Sequence, residues 1–103
     1  MNKTALITGA TRGIGKQIAL TLAQNGYDIA INYRKENDAL KETKKEIEEK
    51  GVKCLTVQGD VSNFEDCERF VKEIIEEYGK IDVLVNNAGI TKDTLLMRMK
   101  KED

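Results

Sequence analysis

The residues best suited to chemistry lie in one short turn. Thr8-Gly9-Ala10-Thr11-Arg12-Gly13-Ile14-Gly15 reads T-G-x-x-x-G-x-G, directly after an apolar run and directly before a segment of helical period. A helix N-terminus presents unpaired backbone N–H groups and the positive end of its dipole, so a diphosphate sits well there. Residues without a β-carbon let the diphosphate come close. A plain strand-to-helix turn would also use glycine for backbone freedom. The placement after a first strand and before an apolar-faced helix favours a dinucleotide.

Three further groups of residues bear on which dinucleotide and how it lies. A site for NAD places a carboxylate at the end of the second strand to bond the ribose 2′-hydroxyl, whereas a 2′-phosphate is repelled by one and calls for Arg or Lys. Here the second apolar run ends Ile31-Asn32-Tyr33-Arg34, and Asp28 lies at its other end. Asn32 is neutral, while Arg12 and Arg34 are cations placed to meet a phosphate, so NADP(H) is expected. An ordinary solvated loop is the alternative for Arg34 and Lys35. After the third run, Gly59-Asp60-Val61 stands where an adenine would lie, with the Asp60 carboxylate an acceptor for the exocyclic amine. Ending a strand and starting a helix is the plainer role for Asp60. After the fourth run, Asn86-Asn87-Ala88-Gly89 offers two amides for backbone groups of neighbouring strands and two small residues past which a cofactor fits.

The elements that position these residues follow from hydrophobic period. Four short runs rich in Val, Ile and Leu, at 4–8, 28–32, 53–57 and 81–86, alternate with three longer amphipathic segments. Continuous apolar strands separated by amphipathic helices form a parallel sheet covered on both faces. The expected fold is therefore α/β, a Rossmann-like three-layer unit with a four-stranded parallel sheet. The first helix starts near Gly13, places Ile14, Ile18, Ala19 and Leu22 on the core face, and stops before Asn25-Gly26. The second, 38–50, is mostly Lys and Glu, with Leu40, Thr43 and Ile47 as a narrow buried stripe. Ser62 and Glu65 read as a capping box for the third, which repeats Cys67, Phe70, Val71, Ile74, Ile75 and Tyr78 until Gly79 stops it. The segment from Thr91 to Asp103 reads as a helix start or a loop, and the chain looks cut before a fifth strand.

Composition narrows the function classes. With 17 basic and 18 acidic residues over 103, interspersed, the chain has no basic stripe for nucleic acid. Histidine is absent, and Cys54 and Cys67 stand alone, which excludes a zinc site of ordinary ligand spacing. The two thiols are expected to be free and buried in a reducing cytoplasm. No stretch approaches the ~20 apolar residues of a membrane span, and the first run lacks the features of a signal peptide.

Taken together, the glycine turn, Asp60-Val61 and Asn86-Asn87-Ala88-Gly89 resemble the cofactor half of the short-chain dehydrogenase/reductase family over nearly the whole chain. Ile90-Thr91-Lys92-Asp93-Thr94-Leu95-Leu96-Met97-Arg98-Met99 is similar to the segment that follows in bacterial 3-oxoacyl-[acyl-carrier-protein] reductases. The resemblance implies NADPH as hydride donor, a 3-oxoacyl thioester as substrate, acyl carrier protein as partner, a homotetramer, and the sheet order 3-2-1-4. A flavodoxin-like 2-1-3-4 order would reuse the same elements. Residue by residue it implies Gly9, Thr11, Arg12, Gly13, Ile14 and Gly15 for the pyrophosphate and ribose, and Asn32, Tyr33 and Arg34 for the 2′-phosphate side. It further implies Asp60 and Val61 for adenine, and Asn87, Ala88, Gly89 and Ile90 for the adjoining ribose and nicotinamide side. The family's tyrosine four residues before a lysine has no counterpart, since Ile31, Asn37 and Asp82 follow Tyr27, Tyr33 and Tyr78 at that spacing. The expectation is thus 1–103 as the N-terminal cofactor-binding part of a reductase, inactive by itself. The alternative is a half-size α/β module that binds or self-associates, for instance as a dimer through its fourth strand.

Overall fold

Strand alternation divides the apolar residues between two cores, one on each face of a single sheet. The computed structural model describes residues 2–11 and 13–87. Its elements are β1 (Thr4–Thr8), α1 (Gly13–Gln24), β2 (Asp28–Tyr33), α2 (Asp38–Glu48), β3 (Cys54–Gln58), α3 (Phe64–Tyr78) and β4 (Val83–Val85). The strands pair in parallel in the order β3-β2-β1-β4, so the 3-2-1-4 order holds and the flavodoxin-like one does not. Ala5, Ile7, Ile29 and Ile31 face α1 and α2, while Leu6, Ala30 and Val57 face α3. β1 is buried along its whole length because it has strands on both sides and helices on both faces.

Two local features differ from the expectation. On α1 the most deeply buried residues are Gly15, Ala19 and Ala23, with Ile18 and Leu22 half-buried on the flank. Ile14 is 74% exposed, not on the core face. The reason is steric: a stripe of residues with little or no side chain lets the helix lie closest to the sheet, and the Ile14-Ile18-Leu22 stripe is rotated about 100° away from it. At α3 the N-cap is Asn63, one residue beyond Ser62, and its side chain accepts from the Asp66 N–H at 3.0 Å. Ser62 is instead held by Asp60 Oδ1, which accepts both its N–H and its hydroxyl, at 2.9 and 2.6 Å. Asn and Ser are comparable caps, so this competing turn decides the register.

The other features agree with the pattern. Leu40, Thr43 and Ile47 are the buried residues of α2, and Asn37 caps its N-terminus by accepting from the Leu40 N–H at 2.9 Å. Gly79 closes α3 in the left-handed conformation, φ +84°, donating to the Ile75 carbonyl. β4 is shorter than its apolar run. Asp82 precedes it and pins it to β1 by accepting the Thr4 N–H at 2.8 Å, a bond that holds the Asp82 carboxyl below the usual carboxylate range. The stretch 91–103 lies outside the described residues.

Cys54 lies in the core on the α1/α2 face and Cys67 in the core on the α3 face, so the sheet separates them and both are free. Burial pushes the Cys54 thiol up to about 12 and the Cys67 thiol up to about 11. Because the thiolate is the nucleophile, alkylation at pH 8 should run at least ~100-fold slower in the folded chain than in urea. Equal rates in mass-spectrometric labelling would contradict the burial.

Candidate functional site

The C-terminal ends of the parallel strands open onto a cleft of about 630 Å³. That size suits a small organic ligand. Gly9 and Thr11 line it from the glycine turn, Asn32 to Lys35 and Asn37 from the end of β2 and the start of α2, and Val61 from the turn after β3. Five of the residues expected at a dinucleotide site, on the first and second loops, thus meet Val61 across one opening.

The turn takes its shape from backbone requirements that glycine meets. Gly9 and Gly13 have φ of +64° and +65°, a region L side chains rarely occupy. A β-carbon added at Gly13 would meet nothing within 4 Å, so the turn is open on that side. Gly15 serves a different purpose. A β-carbon there would lie 2.5 Å from the Gly9 carbonyl oxygen and within contact of Asn87 Nδ2. Its absence lets α1 start directly against the turn. Asn87 Nδ2 donates to that Gly9 carbonyl at 3.1 Å, and the Thr8 hydroxyl donates to Asn86 Oδ1 at 3.1 Å. Asn87 therefore reaches a backbone group beyond the end of β1, while Asn86 meets the Thr8 side chain. No carboxylate stands in the first turn of α1 to compete with an anion.

The second loop carries positive charge. The Arg34 side chain is 75% exposed, and its Nη2 stands 3.5 Å from Asp60 Oδ2. An exposed pair at that distance contributes little to stability. Lys35 is exposed beside it and lines the cleft. Asn32 plays a structural part, since its buried amide donates to the Gly59 carbonyl at 3.0 Å and holds the ends of β2 and β3 together. Tyr33 extends the same brace, its carbonyl accepting the Gly59 N–H at 2.9 Å. At the third loop, the Ser62 hydroxyl and then the Ser62 N–H hold the Asp60 carboxyl below its ordinary range, with Arg34 adding to the effect. Asp60 Oδ1 is engaged in that turn and Oδ2 faces Arg34. Val61 is buried against Cys67 and Phe70.

Ile14 stands exposed at the start of α1. Arg12, Ala88, Gly89 and Ile90 lie outside the described residues. Lys35 and Asn37 line the cleft although the glycine and aspartate motifs do not point to them. The signal for Asn37 was an Asn before Asp38 and an apolar stripe, an ordinary N-cap pattern. Among the described residues no group of three or more metal-ligating side chains comes together, and no helix is long and apolar enough to cross a membrane.

A glycine-turn cleft at the carboxyl edge of a 3-2-1-4 sheet can be compared with known proteins. The sequence model described as short chain dehydrogenase matches residues 3–103. The chain belongs to the short-chain dehydrogenase family. Within that family it is 50% identical over all of its 103 residues to 3-oxoacyl-[acyl-carrier-protein] reductase FabG of Staphylococcus epidermidis, and covers 42% of that protein. It is 46% identical over 101 residues to the 3-oxoacyl-[acyl-carrier-protein] reductase of a Synechocystis species, covering 41% of it. The chain thus spans about two fifths of the length of these curated relatives. Among solved structures, a putative short-chain alcohol dehydrogenase from Sinorhizobium meliloti superposes with a TM-score of 0.79 at 38% identity, over 87% of this chain and 36% of that one. Acetoin dehydrogenase from Enterobacter cloacae gives 0.78 at 34% identity, over 88% and 36% of the respective chains.

Proposed function

We propose that this chain is the NADP(H)-binding portion of a 3-oxoacyl-[acyl-carrier-protein] reductase of fatty acid synthesis, working in the cytoplasm within a homo-oligomer. The reaction is reduction of a 3-oxoacyl carrier-protein thioester to its 3-hydroxyacyl form, and bound NADPH supplies the hydride. The observation that carries the reading is one cleft with the open glycine turn on one wall and Arg34 and Lys35 on another, with a neutral Asn32 where a carboxylate would select NAD. Family membership and the named relatives support the reaction class.

In this reading Gly9, Thr11, Arg12, Gly13, Ile14 and Gly15 hold the diphosphate and the adjoining ribose through backbone amides and close approach. Arg34, with Arg12 and the neighbouring Tyr33, neutralises the 2′-phosphate, and Asn32 adds no negative charge at the end of β2. Asp60 and Val61 bound the adenine end. Asn87, Ala88, Gly89 and Ile90 border the nicotinamide side. The chain's own residues bind and orient the cofactor but offer no general acid for the alkoxide. No tyrosine precedes a lysine by four residues, and the Tyr78 hydroxyl donates to the Ile29 carbonyl at 2.9 Å, with burial pushing its pKa up. The 103-residue chain alone should therefore give no turnover of a 3-oxoacyl thioester. Acyl carrier protein is the partner of the complete enzyme in this reading.

The deciding experiment is calorimetric titration with 2′-phospho-AMP against 5′-AMP. A preference of about tenfold for the former is expected, and Arg34→Glu should abolish it, since it replaces an attractive charge by a repulsive one near a dianion. Equal and negligible heats from both ligands would sink the assignment.

A further inference from the structure

Thr43 is an unusual choice for its place. It is fully buried in the middle of the α2 stripe, between Leu40 and Ile47, where an aliphatic side chain would pack equally well and a hydroxyl is costly unless bonded. A helical threonine ordinarily satisfies its hydroxyl on a carbonyl of its own preceding turn. Here the hydroxyl donates at 3.0 Å to the carbonyl of Thr11, 32 residues away and on the glycine turn. Thr11 lines the cleft, so the bond holds a cleft-lining residue from behind.

Two more observations make this a mechanical link. One helical turn further along α2, Glu46 Oε2 meets Lys16 Nζ of α1 at 2.6 Å. At its other end α2 begins with the cap Asn37, which lines the cleft next to Lys35. The helix therefore runs between the corner that carries Arg34 and Lys35 and the glycine turn. It is only lightly seated, with Leu40, Thr43 and Ile47 as its buried residues.

We propose that Thr43 is a positioning residue for dinucleotide binding: its hydroxyl fixes the Thr11 carbonyl, and through it the orientation of the glycine turn that faces the diphosphate. A planar peptide unit turns as one body, so holding its carbonyl holds the whole unit. The proposal rests on the dinucleotide reading for its ligand and on the Thr43–Thr11 bond for its effect on the turn.

The test compares Thr43→Val, which keeps the shape and removes the donor, with Thr43→Ser, which keeps the donor. In the ligand-free chain, Thr43→Val should take up deuterium about fivefold faster across 9–15 while α3 is unchanged, and Thr43→Ser should match the parent. In titrations, Thr43→Val should weaken NADPH about fivefold and leave 2′-AMP, which has no diphosphate, within about twofold of the parent. If Thr43→Val fails to fold, Thr43→Cys, a weak donor of similar size, takes its place and should show a smaller effect of the same kind. Unchanged exchange at the turn overturns the proposal. So does a serine variant that behaves like valine, or an equal loss for both ligands, which would mean general loosening of α2. Should the parent chain bind neither nucleotide, the functional reading falls, while the exchange comparison still decides the tether.

Discussion

Gly15→Ala is expected to destabilise the fold by about 2 kcal/mol and to weaken nucleotide binding more than tenfold. Two effects of opposite sign meet at this position. Gly15 lies inside α1, where alanine is intrinsically preferred by about 1 kcal/mol. Against that, the new methyl would stand 2.5 Å from the Gly9 carbonyl oxygen and press on the Asn87 amide. The Gly9 oxygen belongs to the backbone and cannot rotate aside, so either α1 moves off the end of β1 or the turn opens. Both responses break the Asn87–Gly9 bond and displace amides from the cleft. Sterics therefore outweigh propensity. Urea unfolding and NADPH titration of the same protein measure the two consequences. An alanine variant as stable as the parent, or more so, would show that the close approach does not exist in solution.

Phe70→Ala is expected to cost about 3–5 kcal/mol, a large share of the roughly 5–15 kcal/mol that holds a domain of this size folded. Phe70 is the largest fully buried side chain and stands at the centre of the core on the α3 face, among Leu6, Val57, Val61 and Ile74. α3 is the helix that covers that face among the described residues, so its neighbours have little means of closing the cavity. The ring also lies against the Gly59 backbone, where an added β-carbon would come within 2.8 Å of Phe70 Cδ2. Gly59 in turn holds Asn32 and Tyr33 through hydrogen bonds. Phe70 thus carries the turn that ends in Asp60 and Val61, and a leucine replacement should rescue much of the stability while loosening that turn. Circular dichroism in a urea series checks the first expectation. Native-like unfolding of Phe70→Ala at the parent midpoint would rule it out.

The legibility of this molecule follows the range of the interactions. Helix stops at Asn25 and Gly79, the α2 stripe of Leu40, Thr43 and Ile47, and the burial of both cysteines could be read from residues within a few positions of one another. Two departures from the pattern have different origins, one long-range and one local. Residue hydrophobicity favours Ile14 for the buried face of α1, whereas the sheet surface against which α1 lies selects the small residues Gly15, Ala19 and Ala23. The Ser62–Glu65 motif points to Ser62 as the α3 cap, but Asp60, two residues before it, takes Ser62 into its own turn and leaves the cap to Asn63.

What the chain order alone determined is local: four apolar strands, three amphipathic helices, a glycine turn ahead of the first helix, and a cationic end to the second strand. Those features depend on backbone sterics, period and charge, which act between near neighbours. Only the tertiary structure decided which side chains brace others and which remain free to meet a ligand. Asn32 is drawn to the Gly59 carbonyl, Asn87 to the Gly9 carbonyl and Thr43 to the Thr11 carbonyl, while Arg34 stays in the open. A buried polar group must find its partner wherever the fold brings one within reach, and no spacing along the chain encodes that distance.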